Sequence, residues 1–132
     1  MMRFADPTFI TSAVHKYQSL FAWQQAHAAT VLTLKQCDAW YHPKSRALFD
    51  QLRRATISIG ANIVEGYALS TPLQFRRHLR IAMGSAAEAE YLTRLIAELE
   101  YLPKPTTEQL EHLLERSMAA LHGLIKKIPR AH

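Results

Sequence analysis

Apolar residues recur at helical spacing along most of the chain. The clearest example is a row of five side chains that would share one helix face: Leu48, Leu52, Ala55, Ile59 and Ile63. β-branched residues never alternate with polar residues over the length of a strand, and no Asn-Gly or Asp-Gly hairpin signal occurs. The pattern therefore predicts an all-α protein.

Two helices are predicted in the first half of the chain. The first runs from about Ser19 to Tyr41 and the second from about Lys44 to Ala68, with Gly66 marking the C-terminal end of the second. The core-facing side chains expected on the first helix are Leu20, Trp23, His27, Thr30, Val31, Leu34 and either Cys37 or Asp38.

Two further helices are predicted from capping patterns. Thr71, followed by a proline and then by Gln74, matches a capping box at the start of a third helix that runs to about Tyr101. The segment Thr106–Gln109 repeats this pattern at the start of a fourth helix. Short connections between long amphipathic helices predict an antiparallel up-down-up-down four-helix bundle over residues 19–128. Residues 1–18 and 129–132 would then be an N-terminal extension and a C-terminal tail.

Composition narrows the class of protein. No apolar run approaches the roughly 20 residues that a membrane-spanning helix needs, and the first residues lack the pattern of a secretory signal, so a cytoplasmic location is expected. Cys37 is the one cysteine, which excludes an internal disulfide and any multi-cysteine metal site. No cofactor and no metal are expected.

The charges lie in two blocks of opposite sign. Residues 44–80 contain seven basic and two acidic side chains, whereas residues 81–115 contain seven acidic and two basic ones. Opposite blocks can attract each other across neighbouring helices or across subunits, whereas a nucleic-acid-binding protein usually keeps its basic surface unopposed. The arginines therefore indicate self-association as much as nucleic-acid binding.

The second and third helices are expected to form a hairpin that turns near Leu69. Residues whose numbers sum to about 140 would then lie at similar heights. Ser58 and Gly60 would meet Gly84 and Ser85, so a close approach of the two backbones would explain both glycines. Replacing either glycine by leucine is expected to disrupt folding or assembly by overpacking.

The same geometry predicts ion pairs within the hairpin. It places Arg53 and Arg54 level with Glu88 and Glu90. It also brings three arginines toward Glu65: Arg76, Arg77 and Arg80. Hydrogen bonds from the side chains of Ser58 and Asn62 could complete such a network.

Two runs of this hairpin carry a family resemblance. LFDQLRRATISIGANIVEG and QFRRHLRIAMGSAAEAEYL resemble the bacterial four-helix bundle proteins encoded in intervening sequences of large-subunit ribosomal RNA genes, and the likeness covers roughly residues 17–128. The matching motif positions are Gln51, Arg53, Arg54, Ala55, Ser58, Asn62, Glu65 and Gly66 in one helix, and Phe75, Leu79, Ala82, Gly84, Ser85 and Glu88 in the other. The resemblance implies a homopentamer of four-helix bundles without a catalytic residue. It also implies a distant relation to accessory proteins of diversity-generating retroelements, which bind a reverse transcriptase and nucleic acid.

Catalysis is not expected. No two histidines are three or four residues apart, so a helical metal-binding face is absent from the pattern. Glu65 and Glu88 form the one carboxylate pair worth considering, and arginines at matching heights are expected to neutralise both.

Two functions therefore stay open. The first is a non-enzymatic, homo-oligomeric scaffold whose packing or subunit contacts use Arg53, Arg54, Ser58, Gly60, Asn62, Glu65, Gly66, Gly84, Ser85 and Glu88. The alternative is an accessory protein that binds RNA or DNA without sequence specificity, and whose binding is lost at moderate salt. Its candidate residues are Arg76, Arg77, Arg80, Lys126, Lys127 and Arg130.

Overall fold

Four long helices dominate the computed structural model, which describes residues 16–69 and 71–130. They are α1 (Phe21–Ala39), α2 (Arg46–Ala68), α3 (Pro72–Leu99) and α4 (Lys104–Lys127). Short 3-10 turns at Tyr17–Ser19 and Pro43–Ser45 precede α1 and α2. The described ranges contain no strand, which confirms the all-α prediction. The predicted N-terminal extension, residues 1–18, lies mostly outside these ranges.

Each helix packs against two neighbours. The contacts join α1 to α2 and α4, and they join α3 to α2 and α4. Because the connections are short, consecutive helices run antiparallel, which confirms the predicted up-down bundle. No helix in the described ranges has the length and apolar character needed to cross a bilayer.

The core confirms the predicted stripe of α2 but not that of α1. The bulkiest fully buried apolar side chains are Phe49, Leu52, Ile59, Ile63, Leu79, Ile96, Leu110, Leu114 and Leu121. The prediction for α1 is confirmed at Cys37, which is buried, but was wrong for His27 and Leu34, which are exposed. Its buried face consists of Ala22, Ala26, Ala29, Thr33 and Cys37. These short side chains let α1 lie close to its neighbours, whereas the bulky Trp23 sits at the edge of the core.

Of the two helix starts predicted from capping patterns, one is confirmed and the other was wrong. The Thr71 hydroxyl accepts a hydrogen bond from the Gln74 backbone N–H at 3.2 Å, as the capping pattern predicts. The fourth helix, however, begins at Lys104, before the predicted threonine cap. A proline fits the first turn of a helix because no N–H is needed there. Thr106 therefore falls inside the helix, where its buried hydroxyl donates to Gln36 Oε1 of α1 at 2.8 Å.

One glycine, Gly66, lies at a close approach of α2 to α3. A Cβ on this residue would lie 2.7 Å from the His78 Cβ, too close for real atoms. α2 ends at Ala68, as predicted, and Gly66 lies in its last turn. The close approach was predicted at Gly60 and Gly84, and that prediction was wrong. A Cβ at Gly60 would make an ordinary 3.7 Å contact with Trp23 of α1, and one at Gly84 would meet nothing within 4 Å.

We expect Gly66→Ala to destabilise the bundle. The added methyl group would force α2 and α3 apart, at a cost of about 1 to 3 kcal/mol that the gain in helix propensity only partly offsets. Gly123→Ala is the matched control, because a Cβ there has open space around it. Denaturant unfolding at one fixed protein concentration should show a loss for the first variant and a small gain for the second. Equal gains would contradict a close approach at Gly66.

Cys37 is a buried thiol on α1. Burial raises its pKa from 9.0 to about 11, although the nearby Arg53 guanidinium acts in the opposite direction. Since the thiolate is the reactive form, Cys37 is protected both by its position and by its protonation state.

This pKa predicts slow alkylation and an alkaline loss of stability. In the folded protein a thiol reagent should react with Cys37 only after unfolding, as measured by comparing the labelling rates with and without denaturant. The folded thiol stays protonated until a pH near 11, whereas the unfolded thiol ionises near 9.0, so Cys37 should lower the free energy of unfolding as the pH rises between these values. Cys37→Ala should remove that part of the decline. Fast labelling under native conditions at neutral pH would contradict the prediction.

Candidate functional site

A row of short polar side chains joins α2 to α3, and we call Ser58, Asn62, His78 and Ser85 the polar seam. The hydroxyl oxygens of Ser58 and Ser85 are 2.8 Å apart. The Asn62 Nδ2 group donates to the Ser58 carbonyl oxygen at 2.9 Å and lies 3.1 Å from the Ser58 hydroxyl. All four residues are partly buried, so these bonds connect polar groups that water reaches poorly.

The Asn62 amide fixes the hydrogen position on the His78 ring. Its NH₂ group is used toward Ser58, so its Oδ1 faces His78 Nδ1 at 3.0 Å and can only accept. His78 must therefore carry a hydrogen on Nδ1 and donate it. Asn62 thus bridges two turns of α2 to the first half of α3.

The height rule for the hairpin is confirmed by these pairs, including one that was missed. It correctly brings Ser58 beside Ser85. It also applies to Asn62 and His78, whose numbers sum to 140, although this pair was not predicted from the sequence. The sequence signal that could have predicted this pair was a polar residue on the second helix at the same predicted height as a histidine on the third.

The ion pairs predicted for Arg53 and Arg54 with Glu88 and Glu90 were wrong. The Arg54 guanidinium donates to Gln51 Oε1 at 2.7 Å, and Gln51 in turn donates its amide to Glu88. Arg53 points the other way, toward α1. Glu90 instead lies 3.9 Å from Arg94 on its own helix.

Arg53 connects α2 to the C-terminal end of α1. Its guanidinium donates to Asp50 at 2.8 Å and to Asp38 at 3.0 Å, and its side chain is only 23% exposed. Adjacent residues on a helix point about 100° apart, so Arg53 and Arg54 cannot both face α3. Arg53 therefore takes part in the contact between α1 and α2, and Arg54 takes part in the contact between α2 and α3.

The side of the hairpin that faces away from the bundle exposes large apolar side chains. We call this surface the outer face and define it by Ile57 and Ala61 on α2 and by Ile81, Gly84 and Tyr91 on α3. Ile57, Ile81 and Tyr91 are 48%, 46% and 61% exposed. Arg54, Glu65 and Glu88 are exposed on the same two helices. By contrast, α4 exposes no large apolar side chain within its described length.

Charges of like sign lie together at the ends of α3 and α4. These helices are antiparallel, so the bases at the start of α3 are near those at the end of α4, and the acidic halves of both helices lie toward the other end. No salt bridge among the described residues joins the two charge blocks, so the structure shows no ion pair behind the attraction expected across neighbouring helices. The ion pairs among the described residues join α1 to α2 or lie within one helix.

The basic end of the bundle contains a cavity of about 450 Å³, which we call the basic cavity. Among the described residues, its lining has four bases, one histidine, three apolar side chains and no acid: Arg76, Arg80, Lys126, Arg130, His122, Met83, Ile125 and Ile128. Arg77 and Lys127, the neighbours of two lining bases, are not part of the lining. The cavity thus unites four of the six bases named as candidates for nucleic-acid binding.

Arg76 has a buried polar atom without a partner. Its Nε is shielded from solvent, and no hydrogen-bond acceptor for it exists among the described residues. The predicted pairing of Arg76, Arg77 and Arg80 with Glu65 was wrong, because none of the three forms a salt bridge within these ranges. Glu88 likewise receives an amide hydrogen bond rather than the predicted arginine.

A compact helical hairpin with a polar seam, an apolar outer face and a basic end thus defines this bundle. The family model of the 23S rRNA-intervening sequence protein matches residues 18–123. The chain belongs to this family, as its resemblance indicated. No curated protein matches the chain.

We expect Asn62→Ala to cost more stability than Gln51→Ala. The first change leaves the His78 N–H and the Ser58 hydroxyl short of a partner at a partly buried site, at a cost of about 1 to 3 kcal/mol. The second change removes bonds that are exposed to solvent, where losses are within about 0.5 kcal/mol. Urea unfolding of both variants measures the difference. Equal losses would show that the seam does not stabilise the hairpin.

Proposed function

We propose that this protein is a non-enzymatic scaffold of the cytoplasm that assembles from copies of its own chain. The contact surface in this proposal is the outer face of the α2–α3 hairpin, and its occupant is a second copy of the chain. The observation that carries the proposal is the exposure of Ile57, Ile81 and Tyr91 on two neighbouring helices. Exposed apolar groups of this kind are typical of protein interaction surfaces.

Gly84 supports this choice of surface. It lies on the outer face between Ile81 and Tyr91, and no atom of the described residues lies within 4 Å of the position that a Cβ would take. A glycine in a helix interior costs about 1 kcal/mol relative to alanine, and no contact among the described residues explains it here. Close approach of a helix from another copy would explain it.

The charges around the outer face support a contact between copies. Arg54 and Glu65 are exposed on α2 and Glu88 is exposed on α3, so one chain offers both signs at the edge of the apolar surface. Charges of both signs allow two copies to match each other without leaving like charges opposed. The resemblance to pentameric four-helix bundles makes a closed ring of five copies the expected assembly.

Nucleic-acid binding is the second candidate. The observation that favours it is the meeting of two basic segments, distant in sequence, at one end of the bundle. A ring would repeat this basic end around its axis and so raise the affinity for a long polyanion without any new contact. Binding of this kind would not depend on base sequence and would weaken at moderate salt.

Light scattering coupled to size exclusion tests the assembly. We expect a single species of about five chains at both low and high salt, because apolar contacts are little affected by ionic strength. The absorbance ratio at the nucleic-acid and protein maxima reports whether nucleic acid is retained. A monomer at both salt concentrations would contradict the scaffold proposal.

Substitution of Gly84 locates the interface. Gly84→Leu should leave the helical fold intact but dissociate the assembly, since leucine would prevent close approach of a second copy. Gly123→Leu is the control, because Gly123 also has open space at its Cβ position but lies on α4. Circular dichroism checks the fold of each variant, and light scattering measures its size. Dissociation by the α4 substitution alone would place the interface elsewhere.

A further inference from the structure

We propose that the basic cavity between α3 and α4 is a binding site for a phosphate group. The group could belong to a nucleic-acid backbone or to a free phosphate compound, and both present the same anionic oxygens. The site deepens the nucleic-acid candidate given above, and it does not depend on the self-association of the hairpin.

The first argument is the composition of the lining. Arg76 and Arg80 from α3 line the same space as Lys126 in the last turn of α4 and Arg130 just after that helix, and no carboxylate of the described residues lines it. These bases form no salt bridge with any described residue. Four cations that share one concave space repel one another unless an anion lies among them. An anion with several acceptor oxygens can meet more than one of them at once.

The second argument is the Arg76 side chain, which lies on the wall of the basic cavity and forms no salt bridge with a described residue. Its Nε is shielded from solvent and therefore also from a ligand in the cavity, so a ligand would meet the terminal nitrogens of the guanidinium group. Arginine is suited to phosphate because its planar group can donate two parallel hydrogen bonds.

The third argument is the direction of the helix dipoles. Lys126 and Lys127 lie in the last turn of α4, where a positive charge is favourable. Arg76 and Arg77 lie in the second turn of α3, where the helix dipole does not favour a positive charge. Stability of the helix therefore explains the lysines but not the arginines.

The rest of the lining indicates what the phosphate group carries. Met83, Ile125 and Ile128 contribute an apolar wall, and the cavity of about 450 Å³ is much larger than one phosphate group. Ligand sites generally combine an apolar lining with a few placed polar groups. A phosphate ester, in which an organic group lies beside the anion, fits this lining better than a bare inorganic ion.

A pair of double variants with the same charge change tests the proposal. Arg80→Gln with Lys126→Gln removes two bases from the cavity lining. Arg77→Gln with Lys127→Gln removes two bases that are sequence neighbours of lining residues but are not part of the lining. Arg76 is left intact because it is partly buried and its loss could affect folding. Circular dichroism and light scattering confirm that both double variants keep the fold and the assembly of the parent protein.

Two probes separate the sources of the phosphate group. Phenyl phosphate, followed by calorimetry, represents a free phosphate ester, and a single-stranded uridine oligonucleotide without a terminal phosphate, followed by fluorescence anisotropy, represents the backbone. Losing two charge-assisted hydrogen bonds should weaken binding about tenfold or more in the cavity variant, whereas the control variant should lose much less. Preferential loss for phenyl phosphate assigns a free ligand, and preferential loss for the oligonucleotide alone assigns the backbone.

Three results would overturn the proposal. One is that neither probe binds the parent protein. Another is equal weakening in the two double variants, which would indicate a diffuse positive surface without a site. The last is a cavity variant that changes its assembly but keeps full affinity for both probes, since the cavity would then hold part of another subunit. A monomeric parent protein that still shows the preferential loss would refute the scaffold and keep the phosphate site.

Discussion

The short distance between α2 and α3 is the constraint on which most of the bundle depends. Gly66 permits it, because a Cβ at this position would lie 2.7 Å from the His78 Cβ. Only at such a distance can the small amide of Asn62 contact Ser58 and His78 together. A wider gap would separate Asn62 from His78 and the Ser58 hydroxyl from that of Ser85, at sites that are partly buried. The lack of a side chain at Gly66 and the hydrogen bonds of Asn62 to Ser58 and His78 therefore require each other.

Periodicity was enough to predict the helices, their order and the height of each residue in the hairpin. It did not give the direction in which a residue points, since a rotation of about 100° separates neighbours on a helix. Arg53 therefore turned out to serve α1 rather than α3. The same limitation explains the wrong prediction for the glycines, because the pattern does not show whether it is Gly60 or Gly66 that faces a neighbouring backbone. On α1 the prediction favoured large apolar residues, whereas close packing selected alanines such as Ala26.

The charge pattern, by contrast, could not be interpreted from the sequence alone, because the order of the helices decides which charges become neighbours. The two blocks were expected to attract each other across neighbouring helices or subunits, and along the contact between α3 and α4 the tight turn near Pro103 places like charges side by side. Coulomb repulsion at the basic end is the result, and nearby anions or solvent must compensate it. The basic cavity is thus a consequence of the antiparallel fold, and no local motif in the sequence predicts it.

Charge that is concentrated at one end also gives each bundle an electric dipole along its length. In an assembly with cyclic symmetry, the parts of these dipoles that lie perpendicular to the symmetry axis cancel, whereas the parts along the axis add. Rings whose helices follow the axis would therefore carry one rim much more positive than the other, however many subunits they contain. Such a particle would meet a polyanion with the same rim each time, which gives a symmetric assembly a defined orientation on its target.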